Sequence, residues 1–205
     1  MAKRWQRRKE ARTAEILEAA LCQFAEKGFA ATKLDDVAKR AGITKGTIYL
    51  YFDSKQALFE ALAQGSIGAQ MEAVKARLEN FPGSSAELLK LVINTMGHFA
   101  QTSDRVVLPR MVLAEAANFP KLAEFWRREI IARGLGIFTF IIRRGVERGE
   151  FRAVDPEHAA RLCVAPVLMI VLWRTTFARF DETPYDHQAL IETHLETLLT
   201  GLKAP

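Results

Sequence analysis

A short segment in the first third of the sequence holds side chains whose types and spacing suit contact with a polyanion. It runs from Thr44 to Phe52 and reads TKGTIYLYF. At helical spacing, Ile48 and Phe52 fall on one face, while the hydroxyl and cationic side chains lie elsewhere around the helix. Donors at the N-terminal end of a helix can reach base edges, and flanking hydroxyls and cations can contact phosphates. The segment therefore has one side for packing and one side suited to DNA.

Two short helices joined by a glycine turn are predicted to position this segment. Apolar spacing predicts one helix over residues 34–41 and a second over 45–51, with Thr32 and Thr44 as their N-caps. Gly42 stands between them and permits the left-handed backbone of a tight helix exit. A glycine-containing turn of three or four residues between short helices is typical of a helix-turn-helix unit.

The stretch from Phe29 to Lys55, FAATKLDDVAKRAGITKGTIYLYFDSK, resembles over its whole length the DNA-binding signature of the TetR family of bacterial one-component transcriptional regulators. The resemblance is close over about residues 10–62, and beyond them the helix layout alone is similar. It implies an N-terminal three-helix DNA-binding domain followed by a helical domain that binds a ligand and dimerises. We place the boundary between residues 1–53 and 54–205.

The resemblance also assigns roles to individual positions. The positions implied to read bases are Thr44, Lys45, Thr47 and Tyr49. Those implied to contact phosphates are Thr32, Lys33, Gly46 through its backbone, Tyr51 and Lys55.

Two features of the signature need separate interpretation. Asp35 departs from the family pattern, because a carboxylate cannot approach phosphate favourably, and we interpret it as a capping residue. The alternative that Tyr49 and Tyr51 are packing residues is weaker, because Ile48 and Phe52 already fill that role on the other face.

The net positive charge lies almost entirely in the first third of the chain. The 205 residues hold 29 Lys and Arg against 24 Asp and Glu, a net charge of +5, and residues 1–60 hold twelve against eight. Within residues 3–12, six basic side chains are opposed by Glu10 alone. This basic arm, which includes Arg7 and Arg8, is suited to phosphate attraction; the alternative is a solvated, disordered start.

Helical spacing and cap signals continue to the end of the chain, while strand signals are almost absent. Ser84 with Glu87, Asp155 before proline and Thr183 before proline are predicted helix starts. We therefore predict an all-α fold of about nine helices. Their approximate bounds are 12–27, 34–41, 45–51, 55–80, 85–101, 106–117, 120–148, 156–180 and 184–202.

Apolar stripes on the last two helices are predicted to form a subunit interface. Two such helices from each of two subunits would make a four-helix bundle, and a palindromic operator requires two copies of the reader. The alternative is that the stripes cover the chain's own core. The stripe residues are Cys163, Val167 and Val171 on the eighth helix and Ile191, His194, Leu195 and Leu198 on the ninth.

Aromatic and methionine side chains are spread over the fifth to eighth helices. They are either plain core or the lining of a pocket, and the resemblance implies that some enclose a small hydrophobic effector. The candidates are Phe99, Met111, Trp126, Phe138, Met169 and Trp173.

Other classes of site find no support in the sequence. The four histidines show no metal-ligand spacing, the two cysteines lie far apart, and catalytic and phosphate-cradling motifs are absent. We predict no metal, no cofactor and no enzymatic activity. The longest apolar run, residues 162–173, has twelve residues and contains Pro166, whereas a membrane span requires roughly 18. We expect a cytoplasmic protein that does not cross a membrane.

The sequence and the resemblance together imply a ligand-responsive DNA-binding regulator, a homodimeric repressor that a small lipophilic effector releases from a palindromic operator in double-stranded DNA. The alternative is a helical small-molecule carrier without DNA binding. The basic arm and the polar face of the second short helix favour the regulator, since a carrier has no use for them.

Overall fold

The described part of the chain is almost entirely helical, as the apolar spacing predicts. The computed structural model describes residues 2–78 and 80–204, with side chains from residue 10 onward. These residues form nine continuous helical runs and one isolated antiparallel bridge, between Phe151 and Lys203. The all-α prediction is confirmed. The α-helices are α1 (Ala2–Ala31), α2 (Leu34–Arg40), α3 (Lys45–Tyr49), α4 (Lys55–Ala63), α5 (Ala69–Leu78), α6 (Ser85–Thr102), α7 (Val107–Glu115), α8 (Pro120–Trp126), α9 (Ala132–Glu147), α10 (Pro156–Leu172) and α11 (His187–Leu202).

Three of the nine runs contain a π-helical turn, so a single predicted helix corresponds to more than one named segment. The turn Gln64–Gly68 joins α4 to α5, Arg127–Ile131 joins α8 to α9, and Trp173–Phe177 extends α10. Short 3₁₀ turns precede α7 at Asp104–Val106 and follow the α10 run at Ala178–Phe180.

The first helix is longer than predicted. Helical backbone begins at Ala2 instead of Arg12, so the backbone of the basic arm belongs to α1. The side chains of Arg7 and Arg8 lie outside the described residues. Gly28, with φ +75°, interrupts the helix where the sequence predicts its stop.

Local side-chain caps set several helix starts as predicted. The N–H of Glu87 donates to Ser84 Oγ at 3.1 Å, and the N–H of Ser84 donates to Glu87 Oε2 at 2.7 Å. These hydrogen bonds stabilise the ionised carboxylate and lower the pKa of Glu87. At the start of α10, Asp155 Oδ1 accepts from the N–H groups of Glu157 and His158 at 2.8 and 3.1 Å.

Two other predicted caps are wrong. The last helix starts after Asp186, whose Oδ1 accepts from the N–H of Ala189 at 2.9 Å, and not at Thr183. Helix α2 has Lys33 at its N-cap position, with no side-chain hydrogen bond there. The hydroxyl of Thr32 instead donates to the carbonyls of Gln23 and Gly28, which precede it in the chain.

Apolar side chains pack into two cores, and the first core joins the two predicted domains. It combines side chains of α1–α4 with those of α7 and α8, whereas the second core joins α6 and α9–α11. Phe59 is fully buried in the first core and Phe138 is almost fully buried in the second. The predicted boundary after residue 53 ends the helix-turn-helix, but the packing is continuous across it.

Most of the predicted subunit interface lies inside the second core, so that expectation is corrected in favour of its alternative. Helices α6 and α9 pack against α10 within the same chain. Burial also raises the pKa of the Cys163 thiol to about 12. The buried members of the set are Cys163, Val167, Val171, Ile191 and Leu195, while His194 and Leu198 are half-buried.

The opposite face of the α10 run is exposed and also apolar. Leu162 is 62% exposed and Met169 is 50% exposed, and Phe180 follows at 71%. By length and composition the run Pro156–Phe180 is apolar enough to cross a membrane, with a mean hydropathy of 1.5 over its most apolar window. A single helix of this kind is not evidence of a membrane span.

The contact between α9 and the bridge residue Phe151 predicts that alanine substitutions at two glycines of α9 affect the stability of the fold differently. Gly145→Ala should destabilise the fold by about 1–3 kcal/mol, because its Cβ would collide with the buried ring of Phe151. Gly136→Ala on the same helix has nothing within 4 Å of the added carbon and should be neutral or stabilising by up to about 1 kcal/mol. Urea unfolding of both variants measures the difference. Equal stabilities would contradict this packing.

Candidate nucleic-acid interface

The turn between α2 and α3 is a Schellman motif. The N–H of Ile43 donates to the carbonyl of Ala38 at 3.0 Å, and that of Gly42 donates to the carbonyl of Lys39 at 3.2 Å. Gly42 has φ +66°, a conformation that L side chains rarely adopt. Because Ile43 packs against the first core, the turn fixes the direction in which α3 leaves α2.

The first turn of α3 is ordered by its own hydroxyls, as the sequence predicts. Thr44 Oγ1 accepts from the N–H of Thr47 at 3.2 Å and lies 2.8 Å from Thr47 Oγ1. The cap holds the N-terminal end of the helix, where side chains that read a major groove must project.

The two faces of α3 are separated as predicted. Ile48 is fully buried and Phe52 is 7% exposed, and both belong to the first core. The residues on the polar face are Thr44, Lys45, Gly46 and Tyr49, all exposed, with Thr47 half-buried beside them.

The cation of the polar face is paired with the helix below it. Lys45 Nζ donates to Asp35 Oδ2 at 2.8 Å, and this hydrogen bond raises the pKa of Lys45. Both side chains are exposed, and exposed ion pairs contribute little free energy. Asp35 therefore pairs with Lys45 at the surface, and opening this pair costs little free energy.

Thr32 does not offer its hydroxyl to a phosphate. The side chain is 1% exposed and donates to the carbonyl of Gly28 at 2.7 Å, with Gln23 O at 3.2 Å. It closes the end of α1 after the kink. The implied side-chain phosphate contact is corrected for this residue.

Lys55 also has a structural role. Its ammonium donates to the carbonyls of Phe29 and Ala30, both at 2.8 Å, and lies 4.8 and 5.3 Å from the ring centroids of Phe29 and Phe119. Partial burial lowers the pKa of Lys55. A cation at the C-terminal end of α1 satisfies orphan carbonyls and complements the helix dipole. Two of its three ammonium donors are therefore engaged within the fold, and the phosphate contact implied for Lys55 stays a prediction.

The remaining implied phosphate contacts divide by exposure. Lys33 and Gly46 are exposed and open to a ligand. Tyr51 is half-buried and packs against the first core, which favours the packing alternative for this residue. Tyr49, 45% exposed, remains on the polar face.

One exposed residue of this surface was not among the predicted contacts. Leu50 follows α3 and is 81% exposed. An apolar side chain on an otherwise polar helix surface is the feature of the sequence that could have identified this residue. A leucine in this position suits apolar contact with a thymine methyl group.

The six predicted effector residues do not line one site, so that expectation is corrected. Met111 and Trp126 are packed in the first core and Phe138 in the second, Met169 is exposed, and Trp173 Nε1 donates to Asp181 Oδ2 at 2.6 Å. Phe99 alone among the six lines a cavity of about 1010 Å³ that opens between α6 and the α4–α5 run.

The histidines do not gather into a metal site. Within the described residues, no group of three or more His, Cys, Asp or Glu side chains is placed to hold a metal ion. Burial lowers the pKa of His187 and of His194, which favours their neutral forms.

Relatives of this chain are transcriptional regulators. The fatty acid metabolism regulator protein of Bacillus subtilis (strain 168) is 26% identical over 189 residues, which is 92% of this chain and 94% of the relative. The HTH-type regulator RutR of Escherichia coli (strain K12) is 28% identical over 171 residues, 82% of this chain and 74% of the relative. The chain is also similar to FadR from Bacillus subtilis, whose crystal structure was solved in complex with stearoyl-CoA. The two sequences are 25% identical, and the structures superpose with a TM-score of 0.71 over 92% of this chain and 98% of that one.

Two family models cover the helix-turn-helix and most of the helical bundle. Residues 16–62 match the bacterial regulatory proteins of the tetR family, and residues 83–187 match the tetracyclin repressor-like C-terminal domain. The second match alone covers half of the chain. The helix-turn-helix geometry and both matches agree, and the chain belongs to the TetR family of bacterial transcriptional regulators.

Proposed function

We propose that this protein is a homodimeric cytoplasmic repressor that binds a palindromic operator and leaves it when a small effector binds the C-terminal bundle. Family membership establishes ligand-responsive DNA-binding regulation. The direction of regulation, the operator and the effector belong to the proposal. The observation that carries it is the polar face of α3, exposed and fixed from behind by Ile48 and Phe52.

The polar face of α3 suits insertion into a major groove. Lys45 and Thr47 lie in its first turn, where side chains reach base edges, and Lys45 is free to exchange Asp35 for DNA. Lys33 supplies an exposed cation at the start of α2, suited to the phosphate backbone. In a dimer the two copies of α3 would enter successive major grooves about 34–36 Å apart.

The exposed apolar face of α10 is the proposed subunit contact. Leu162 and Met169 lie seven residues apart, two turns of helix, so they project from the same side. We propose that the half-buried His194 and Leu198 of α11 also take part in this contact. This exposed face, and not the buried stripe, would form a four-helix bundle with a second copy.

The proposed effector is a small hydrophobic or amphipathic molecule. The Bacillus subtilis neighbour that was solved with stearoyl-CoA supports an effector with an apolar chain. The cavity beside Phe99 supplies the space in this chain. The carrier alternative is not favoured, because it leaves the exposed face of α3 without a role.

The protein should retard DNA that flanks its own coding region in a gel-shift assay, with affinity that falls as salt rises. Lys45→Ala should cost about 1–3 kcal/mol on this DNA and little on random DNA. Lys39→Ala removes the same charge from the surface of α2 and should not reduce discrimination. Stearoyl-CoA should lower operator affinity. Equal losses for Lys45→Ala on both DNAs would contradict base reading, and absence of binding at low salt would contradict the proposed function.

Lys55→Ala should act on the fold more than on the phosphates. Losing two hydrogen bonds to the end of α1 should lower the free energy of unfolding by about 1–3 kcal/mol. Lys55→Met keeps the apolar stem and should recover only the packing part of that loss. The slope of DNA affinity against salt should stay nearly unchanged. A slope flattened by about one unit, with unaltered stability, would restore Lys55 to the phosphate contacts.

Leu162→Asp should convert the dimer to a monomer, because it places a charge in the proposed apolar contact. Leu113→Asp is the matched control, since Leu113 is 56% exposed on α7. Analytical ultracentrifugation at micromolar concentration reads the result. A dimer that survives Leu162→Asp, or one lost equally in the control, would place the interface elsewhere.

A further inference from the structure

The cavity beside Phe99 has both polar and apolar residues in its lining. It lies between one face of α6 and the residues around the π-turn that joins α4 to α5. Its volume of about 1010 Å³ is large enough for a small organic molecule. The apolar part is formed by Leu91, Phe99 and the small residues of α5.

The charge of this lining has one sign. None of the residues that line the cavity is acidic, whereas Arg105 is cationic. Neutral amide and hydroxyl groups accompany it, among them Gln70, Asn94 and Thr102. A cavity with apolar walls, amide donors and one guanidinium is complementary to an amphipathic anion.

Arg105 occupies a fixed position at the end of this cavity. It lies in the 3₁₀ turn before α7, where its N–H donates to Ser103 Oγ at 3.1 Å. Arg174 Nη1 donates to the carbonyls of Ala100 and Ser103 at 2.8 and 3.0 Å, which fixes the end of α6 beside it.

The guanidinium of Arg105 contacts the DNA-binding head, which is formed by α1–α3. Its Nη2 donates to Glu18 Oε1, and Glu18 belongs to α1. Both side chains are partly exposed, at 34% and 56%. A carboxylate of α1 therefore already contacts the guanidinium of Arg105, the one Lys or Arg residue in the described cavity lining.

We propose that the cavity binds a small amphipathic organic anion, whose anionic group replaces the carboxylate of Glu18 on Arg105. This inference rests on the proposed function and names the chemistry of the effector and its point of contact with the head. The anion breaks the contact between α1 and the turn before α7, and operator affinity falls. The same coupling acts in reverse, so operator DNA weakens anion binding by the same factor.

Octanoate and its uncharged isostere octanamide test the site on the full-length protein without DNA, by isothermal titration calorimetry. Octanoate should bind at least about tenfold more tightly than octanamide, because a charge-assisted hydrogen bond to Arg105 is lost in the amide. Arg105→Ala should remove that preference, and Arg105→Lys should retain part of it. Arg110→Ala removes a positive charge from α7 away from the cavity lining and should change nothing.

Glu18→Gln tests the competition without altering the cavity. An exposed ion pair is weak, so octanoate should bind Glu18→Gln about two- to fivefold more tightly than the wild type. Operator affinity of this variant should fall by a similar factor, and octanoate should lower operator affinity of the wild type.

The proposal is overturned if octanoate does not bind, if octanamide binds equally well, or if Glu18→Gln leaves octanoate affinity unchanged. It is overturned as well if octanoate binds through Arg105 and leaves operator affinity intact. A wild-type protein that binds no DNA would instead remove the proposed function, while calorimetry would still decide whether the anion site exists.

Discussion

The ring of Phe59 packs between α1 of the DNA-binding head and α8 of the C-terminal bundle. Its centroid lies 6.1 and 6.0 Å from those of Phe24 and Phe29 in α1, and 6.5 and 5.9 Å from those of Phe125 and Trp126 in α8. Interiors are close-packed and deform in discrete steps. A shift of α8 would therefore also move α1 and the helix-turn-helix that packs on it.

Polar contacts at both ends of the run that includes α7 also join the bundle to α1. Arg105 at its start pairs with Glu18, and Glu115 at its end accepts from the N–H of Ala30 at 3.3 Å. The turn after α7 places Phe119 against Phe29, with ring centroids 4.9 Å apart. Since α7 touches α1 along its length, a ligand that displaces α7 has a short physical route to α3.

Local signals could be interpreted from the sequence, and long-range ones could not. The Thr44 cap, the Gly42 turn and the Ser84 capping box each depend on residues three to five positions apart, so their chemistry is visible in the sequence. Lys55 differs, because its carbonyl partners lie 25 and 26 residues earlier and only folding brings them together. The same limit explains Cys163 and the other stripe residues. An apolar stripe indicates burial, but whether its partner is the same chain or a second copy depends on tertiary packing.

The DNA-binding head and helices α7–α8 form one packed unit around Phe59. Native-state hydrogen exchange of Phe59→Leu tests it, with Phe151→Leu as a control in the second core. We expect Phe59→Leu to lower amide protection in α1–α2 and in α7–α8 together, whereas Phe151→Leu should act chiefly on α9–α11. Loss of protection confined to the head, with α7–α8 unchanged, would contradict it.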